Sequence, residues 1–244
     1  MQKTLILIPS RLSASRLPKK PLLKINGKSI ISHVVNRAKH AKLGVVYVAT
    51  EDYEILNDVK KNGGKAIITS NKHKTGTDRI YECFTKLKKK NVKYILNIQG
   101  DEPNVNINDI KKLHKFAVKN NSDMATLASE IDNNKVLNNK NIVKVIINSK
   151  LTKYNFPRAI DFKRIVKTKK NVYQHIGVYI FKVNTLKNFV NLKQSKKEIK
   201  NKLEQMRAIE NGIKINVTLA SKPSIGIDTL EDYVELKKIM EYKS

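Results

Sequence analysis

Four short stretches of this chain combine cations, carboxylates, hydroxyls and glycines in spacings suited to phosphate and metal chemistry. The first, Pro9-Ser-Arg-Leu-Ser-Ala-Ser-Arg-Leu-Pro-Lys-Lys-Pro-Leu22, gathers Arg11, Arg16, Lys19 and Lys20 among three serine hydroxyls. A polyphosphate needs several cations converging on neighbouring oxygens together with hydrogen-bond donors, and this loop offers both. A solvated basic loop is the competing reading; two of the chain's few arginines in one loop favour phosphate. The second stretch, Asn97-Ile-Gln-Gly-Asp-Glu-Pro103, ends an apolar run with a glycine and two carboxylates. Asp101 or Glu102 there suits Mg²⁺, although Gly-Asp and Glu-Pro are also ordinary turn pairs. In the third, His73-Lys-Thr-Gly-Thr-Asp-Arg79, a glycine loop runs into a helix that Thr77 is placed to cap. The fourth, Gly226-Ile-Asp-Thr-Leu-Glu-Asp232, sets Asp228 before a C-terminal helix, where Asp228 or Thr229 as a plain N-cap is the simpler reading.

Other candidates stand alone. His175 opens a strand, Arg158 follows Phe156-Pro157, and Leu203-Glu-Gln-Met-Arg207 lies on a helix. His33, His40 and His114 sit on lysine-rich helices as rim residues, and Cys83 falls inside a helix as a packing residue.

The elements that must position these groups follow from hydrophobic periodicity. Residues 4–9 form a continuous apolar run of strand length, as in a buried parallel strand. A helix is expected over 28–42, a strand over 45–50, a helix over 52–62 and a short strand over 65–68. A helix over 78–90, a strand over 94–99 and a helix over 106–120 follow. This alternation predicts an α/β fold, a doubly wound, mostly parallel sheet whose ligands sit beyond the strands' carboxyl ends. In the second half, strands over 125–129, 143–149 and 176–182 predict a smaller mixed-sheet lobe. A helix over 196–211, a strand over 214–220 and a helix over 230–242 complete the chain. The 244 residues thus divide into an α/β core over 1–125, a mixed lobe over about 126–220, and a last segment over 221–244.

The net charge is +28, carried by 49 basic residues of which seven are arginine. A nucleic-acid-binding protein is the reading this charge invites, but the lysines run along the whole length and fit a solvated surface better than one dedicated footprint. With lysine as the default cation, each arginine marks a place where a rigid bidentate fork is useful. No apolar run approaches the roughly 18 residues needed to span a bilayer. The N-terminal stretch MQKTLILIPSR fits a first strand better than an export signal. One cysteine excludes an internal disulfide framework. These features fit a cytoplasmic enzyme.

Taken in order, the motifs resemble the 3-deoxy-manno-octulosonate (Kdo) cytidylyltransferases, or CMP-Kdo synthetases. ILIPSRLSASRLPKKPL, VATE, HKTGTDR, NIQGDEP and GIDTLEDY match family stretches, and MATLAS, VKVI, QHIGVYIF and LEQMR fall between them in family order, from Ile6 to about Tyr233. The resemblance implies a nucleotide-diphospho-sugar transferase fold and a reaction of CTP with Kdo that yields CMP-Kdo and pyrophosphate for lipopolysaccharide biosynthesis. It implies that Arg11, Arg16 and Lys20, beside Pro9 and Ser10, hold the CTP phosphates, with Lys20 also catalytic. Thr75, Gly76 and Arg79, with Gln99, would position the nucleotide. Asp101 and Asp228 would ligate Mg²⁺. Gln99, Arg158, His175, Tyr179, Glu204 and Gln205 would surround the sugar acid. A homodimer through the mixed lobe is implied, with no specific nucleic acid and no membrane insertion.

Four departures stand out. Lys19 replaces the family glycine, Glu51 an aspartate, Asp78 a glutamate and Thr75 a serine. FPRAIDF around Arg158 is less typical, which keeps an 8-amino relative of Kdo or a sialic-type acid open as the acceptor.

Overall fold

The computed structural model describes residues 3–13, 16–224 and 226–242. Ala14 and Ser15 of the basic loop lie outside the described residues. The chain divides into two compact units, 1–107 with 224–244, and 108–223.

In the first unit, β1 (Lys3–Ser10) leads through a 3₁₀ turn (Lys20–Leu22) into a hairpin, β2 (Lys24–Ile25) and β3 (Lys28–Ser29). Helix α1 (Ile30–His40) starts where the Ser29 hydroxyl accepts the Ser32 N–H, and it buries Ile30, Ile31, Val34, Val35 and Ala38 on one face. Then come β4 (Gly44–Thr50), α2 (Tyr53–Lys61), β5 (Ala66–Ile68), α3 (Gly76–Leu87) and β6 (Val92–Asn97). Strand β1 pairs in parallel with β4 on one side and β6 on the other, and β4 with β5. The chain therefore winds outward from β1 to β5 and returns through α3 to the far side of β1. That reversal is the switch point at which open α/β sheets bind ligands, between the carboxyl ends of β1 and β6.

The expected helix over 28–42 begins two residues late, because Asn26 at φ 47° and Gly27 at φ 73° turn the β2–β3 hairpin first. The cap of α3 is Thr75, whose side chain accepts the Asp78 N–H, and not Thr77, which is buried inside the helix.

In the second unit, α4 (Ile107–Lys119) precedes β7 (Met124–Ser129), α5 (Lys135–Asn138), β8 (Lys144–Ile147), β9 (Ala159–Lys163) and β10 (Val172–Lys182). Helices α6 (Val183–Asn191), α7 (Lys196–Asn201) and α8 (Met206–Glu210) lead to β11 (Ile215–Leu219). Here β7 pairs in parallel with β11 and antiparallel with β10, while β8 is antiparallel to both β10 and β9. The mixed sheet expected in this half is present, with β9 and α6 as elements the periodicity did not reveal. The single helix expected over 196–211 is instead two, broken at Lys202, which takes φ 53°. The break turns Arg207 back onto Glu198, with which it forms a buried pair at 2.6 and 2.9 Å, and its guanidinium also lies 4.8 Å from the Phe189 ring centroid.

The last helix, α9 (Leu230–Glu241), belongs to the first unit. Its Leu236 packs in one apolar cluster with Leu17, Ile25, Ile30 and Ile227, and the Tyr233 hydroxyl donates to the Lys24 carbonyl at 2.7 Å. None of the described helices is long and apolar enough to cross a membrane.

Candidate active site

A cavity of about 350 Å³ opens in the first unit at the carboxyl ends of β1 and β6. The basic loop contributes Pro9, Ser10, Arg11, Ser13, Arg16 and Lys20 to its lining. The loop before α3 adds His73, Thr75, Gly76 and Arg79, the loop after β6 adds Gln99, Gly100 and Asp101, and the C-terminal segment adds Asp228. Every nucleotide-site residue expected from the sequence is thus in one wall. Ser13 and His73 were in the quoted motifs without an assigned role, and they line the same space.

Backbone geometry explains the convergence. A Cβ on Gly100 would lie 2.8 Å from the Pro9 carbonyl oxygen, so only glycine lets the β6 loop approach the end of β1 this closely. On the other flank, a Cβ on Gly76 would meet Pro9 Cγ at 3.2 Å. The Leu12 N–H donates to Asp52 Oδ2 at 2.8 Å and ties the basic loop to the start of α2. The Ile227 N–H donates to the Asp101 carbonyl at 3.0 Å, which brings the distant C-terminal segment to the β6 loop. Thr229 is the N-cap of α9 and forms a capping box with Asp232, whose carboxylate also accepts the Asp228 N–H at 2.9 Å. The Asp228 side chain is thereby released from capping.

The charges meet at Lys20. Its ammonium, buried at the base of the loop, donates to Asp101 Oδ2 at 2.7 Å and to the Ile227 carbonyl at 2.5 Å, and lies 3.5 Å from Asp228 Oδ1. Arg16 reaches Asp228 Oδ2 at 3.1 Å. Two carboxylates therefore converge on one point from separate parts of the chain, around a cation. Such hard oxygen donors match Mg²⁺. No cluster of three or more histidine, cysteine, aspartate or glutamate side chains forms among the described residues, so a metal would draw on these two carboxylates and on substrate oxygens, the usual habit of Mg²⁺. Glu102, the other acidic candidate after β6, is buried and accepts from Ser224 Oγ at 3.0 Å.

Arg79 is buried, and its fork is taken up by neighbouring protein groups. It donates to Glu51 and, at 2.8 Å, to the Thr69 hydroxyl. Glu82 anchors the same loop by accepting the Ser70 N–H at 2.8 Å, bonding the His73 ring and pairing with Lys86 at 2.7 Å. Burial alone would raise the Glu82 pKa. The bonds from Lys86, Ser70 and His73 outweigh that and hold it at about 2. The Ser10 hydroxyl is buried without a hydrogen-bond partner at the mouth of β1, an unmet polar group in the cavity wall.

The remaining sugar-site candidates lie in the second unit. His175 and Tyr179, both on β10, have ring centroids 5.3 Å apart, and His175 Nε2 is 3.0 Å from the Thr126 hydroxyl. The His175 residue keeps partial exposure, yet desolvation lowers its pKa to about 3, so the ring is neutral at physiological pH. Gln205 is the buried residue that starts α8, next to half-buried Glu204, while Arg158 is exposed before β9. Cys83 is buried, which pushes its thiol up to about 12 and leaves it protonated.

A parallel switch-point sheet whose first loop is cationic and whose cavity holds two converging carboxylates defines a nucleotidyltransferase of the α/β class. A family model described as cytidylyltransferase matches residues 5–215. The chain is 41% identical to the 3-deoxy-manno-octulosonate cytidylyltransferase of Thermodesulfovibrio yellowstonii, over 97% of this chain and 98% of that protein. It is 40% identical to the protein of the same name from Bartonella bacilliformis, over 98% of each chain. The solved structure of CMP:2-keto-3-deoxy-manno-octonic acid synthetase complexed with CTP superposes with a TM-score of 0.90 at 32% identity, covering 99% of this chain and all of that one. This chain belongs to the 3-deoxy-manno-octulosonate cytidylyltransferase family.

Proposed function

We propose that the chain activates 3-deoxy-D-manno-octulosonate by joining CMP from CTP to its anomeric oxygen and releasing pyrophosphate. The product would be the activated sugar consumed in lipopolysaccharide biosynthesis. Family membership over nearly the full length supports the reaction. The observation that carries the site is the meeting of Asp101 and Asp228 on the Lys20 ammonium, at the end of the basic loop.

The anomeric C2 hydroxyl oxygen forms a bond to the α-phosphorus of CTP as the bond to pyrophosphate breaks in line. The hydroxyl proton passes to solvent, and pyrophosphate leaves with the electron pair of the broken bond. Arg11, Arg16 and Lys20 take up the phosphate oxygens and stabilise the charge that builds on the leaving group. The Lys20 ammonium is held in the cavity wall by its hydrogen bond to the Ile227 carbonyl. Asp101 and Asp228 would hold Mg²⁺, which when bound neutralises phosphate charge and lowers the pKa of the attacking hydroxyl. Thr75, Gly76 and Gln99 shape the nucleotide wall, and Arg79 fixes that wall through Glu51 and Thr69. Arg158, His175, Tyr179, Glu204 and Gln205, with Gln99, are the residues for the sugar acid. Cys83, kept as a thiol, has no part in the reaction, which needs no protein nucleophile. We place the enzyme in the cytoplasm, as a homodimer associated through the mixed-sheet unit.

Pyrophosphate release from CTP and Mg²⁺, measured with Kdo, its 8-amino analogue and a nine-carbon sialic acid, tests the acceptor. The expected result is a kcat/KM for Kdo at least about tenfold above the others, the discrimination that one mismatched polar group commonly gives. Faster turnover of the 8-amino or the sialic acid would reassign the acceptor.

A further inference from the structure

The second unit carries a cavity of about 520 Å³ that no step of the proposed reaction uses. Lys111, Lys112, Lys115 and Lys119 line it from the outer face of α4. Lys153 and Tyr154, from the segment between β8 and β9, line it together with Phe116.

Its lining holds five ammonium groups and no carboxylate. Some lysines elsewhere pair with acids, as Lys86 does with Glu82 at 2.7 Å and Lys182 with Asp123 at 2.9 Å. The Lys112 pKa is lowered first by burial and further by Lys153, with Asp109 opposing. Its ammonium donates to the Leu219 carbonyl at 3.0 Å, which fixes it in the wall.

Aromatic surface lies in the same place. Tyr154 is 78% exposed, with Lys153 Nζ 4.9 Å from its ring centroid. Phe116 is held by the Phe156 ring, 5.4 Å between centroids. A flat exposed ring beside half-buried Lys112 and four exposed lysines suits a ligand with a π-face at one end and several negative charges at the other. Scale agrees with this. From Lys111 to Lys119, α4 rises about 12 Å at roughly 1.5 Å per residue, the reach of a phosphate chain and its sugar. The volume falls in the range of about 300–1,000 Å³ usual for small-molecule sites. Lysine binds phosphate as a point charge, without the fork that arginine supplies, so binding here follows charge and stacking rather than base identity.

We propose that this groove binds a nucleoside polyphosphate, with its base on Tyr154 and its phosphates along the α4 lysines. The site shares no residue with the first-unit cavity, so it adds a second nucleotide site to the chain.

The test is equilibrium binding of ATP with a fluorescent ribose label, in Mg²⁺, to the chain carrying Arg11→Ala and Lys20→Ala, which removes two phosphate cations of the first cavity. One labelled nucleotide per chain is expected. Adding Tyr154→Ala should weaken binding about tenfold, as loss of one base–aromatic stack does. Adding Lys115→Glu with Lys119→Glu should weaken it more, and both changes, made in the otherwise unaltered chain, should keep the wild-type rate of CTP turnover. On the Arg11→Ala, Lys20→Ala chain, inorganic tripolyphosphate should compete at least about tenfold less well than ATP. The proposal is overturned by absence of binding to that chain, or by binding that both groove changes leave unaltered. Tripolyphosphate competing as well as ATP, or a single-stranded oligonucleotide binding more tightly than ATP, would equally overturn it.

Discussion

Single residues show how far side-chain type alone could be interpreted. The scarcity of arginine did mark special positions, but three of the seven serve the framework. Arg79 forks onto Glu51 and Thr69, Arg207 onto Glu198, and Arg164 onto the carbonyls of Lys140, Asn201 and Lys202. Their partners lie 9–38 positions away, or are backbone atoms, so sequence spacing could not tell a ligand fork from a structural one. Lys19 is informative in the same way. It sits at φ 52°, ψ 22°, in the left-handed region, where the family keeps glycine. Its ion pair with Glu54 at 3.1 Å is exposed and gives little in return. Lys19→Gly should therefore raise stability by about 1 kcal/mol in denaturant unfolding and leave catalysis intact. Asp101→Ala and Asp228→Ala should each lower pyrophosphate release at least about 100-fold, with unchanged circular dichroism, because each removes a charge on which several kcal/mol of transition-state stabilisation depends. Near-normal turnover of either variant would remove that aspartate from the site.

At the scale of elements, the parallel strands and their helices were legible because each is a continuous apolar run or a 3.6-residue pattern ended by a turn residue. The β2–β3 hairpin was not, because each strand is two residues long and carries no period. Nor was the break at Lys202, where a non-glycine residue takes a left-handed conformation that composition does not announce. The loop before α3 illustrates positioning by a residue outside any motif. Glu82 lies inside α3 and reads as surface charge, yet it holds Ser70 and His73 in the cavity wall. Glu82→Gln should raise KM for CTP severalfold and change kcat little, as loss of binding geometry does. The depressed pKa of Glu82 also gives a pH signature. Its stabilisation is complete above the ordinary carboxylate value of 4.5 and is lost as pH falls towards about 2. Thermal scans over that interval should show a steeper loss in the wild type than in Glu82→Gln, and equal slopes would contradict this role.

For the whole molecule, the net charge of +28 is a field rather than an instruction about fold. It should draw anionic CTP towards the cavity, so kcat/KM should fall as salt rises from about 0.05 to 0.5 M while kcat stays nearly constant, since the screening length shortens over that range. A kcat/KM indifferent to salt would confine the charge to solubility. Alternation of strands and helices was enough to predict the α/β architecture, and the strand-end loops supplied residues that the structure gathers around one cavity. The path by which residue 228 returns to the loop after β6 was implied by family likeness alone, since no local pattern encodes a contact across more than 100 residues. The central claim is transfer of CMP to the sugar acid, and it is tested most directly with CTP radiolabelled at the α-phosphorus, Mg²⁺ and Kdo. Label should enter a CMP–Kdo product one for one with unlabelled pyrophosphate, and only when Kdo is present. Label recovered as free CMP without a sugar adduct, or pyrophosphate released equally without Kdo, would contradict it.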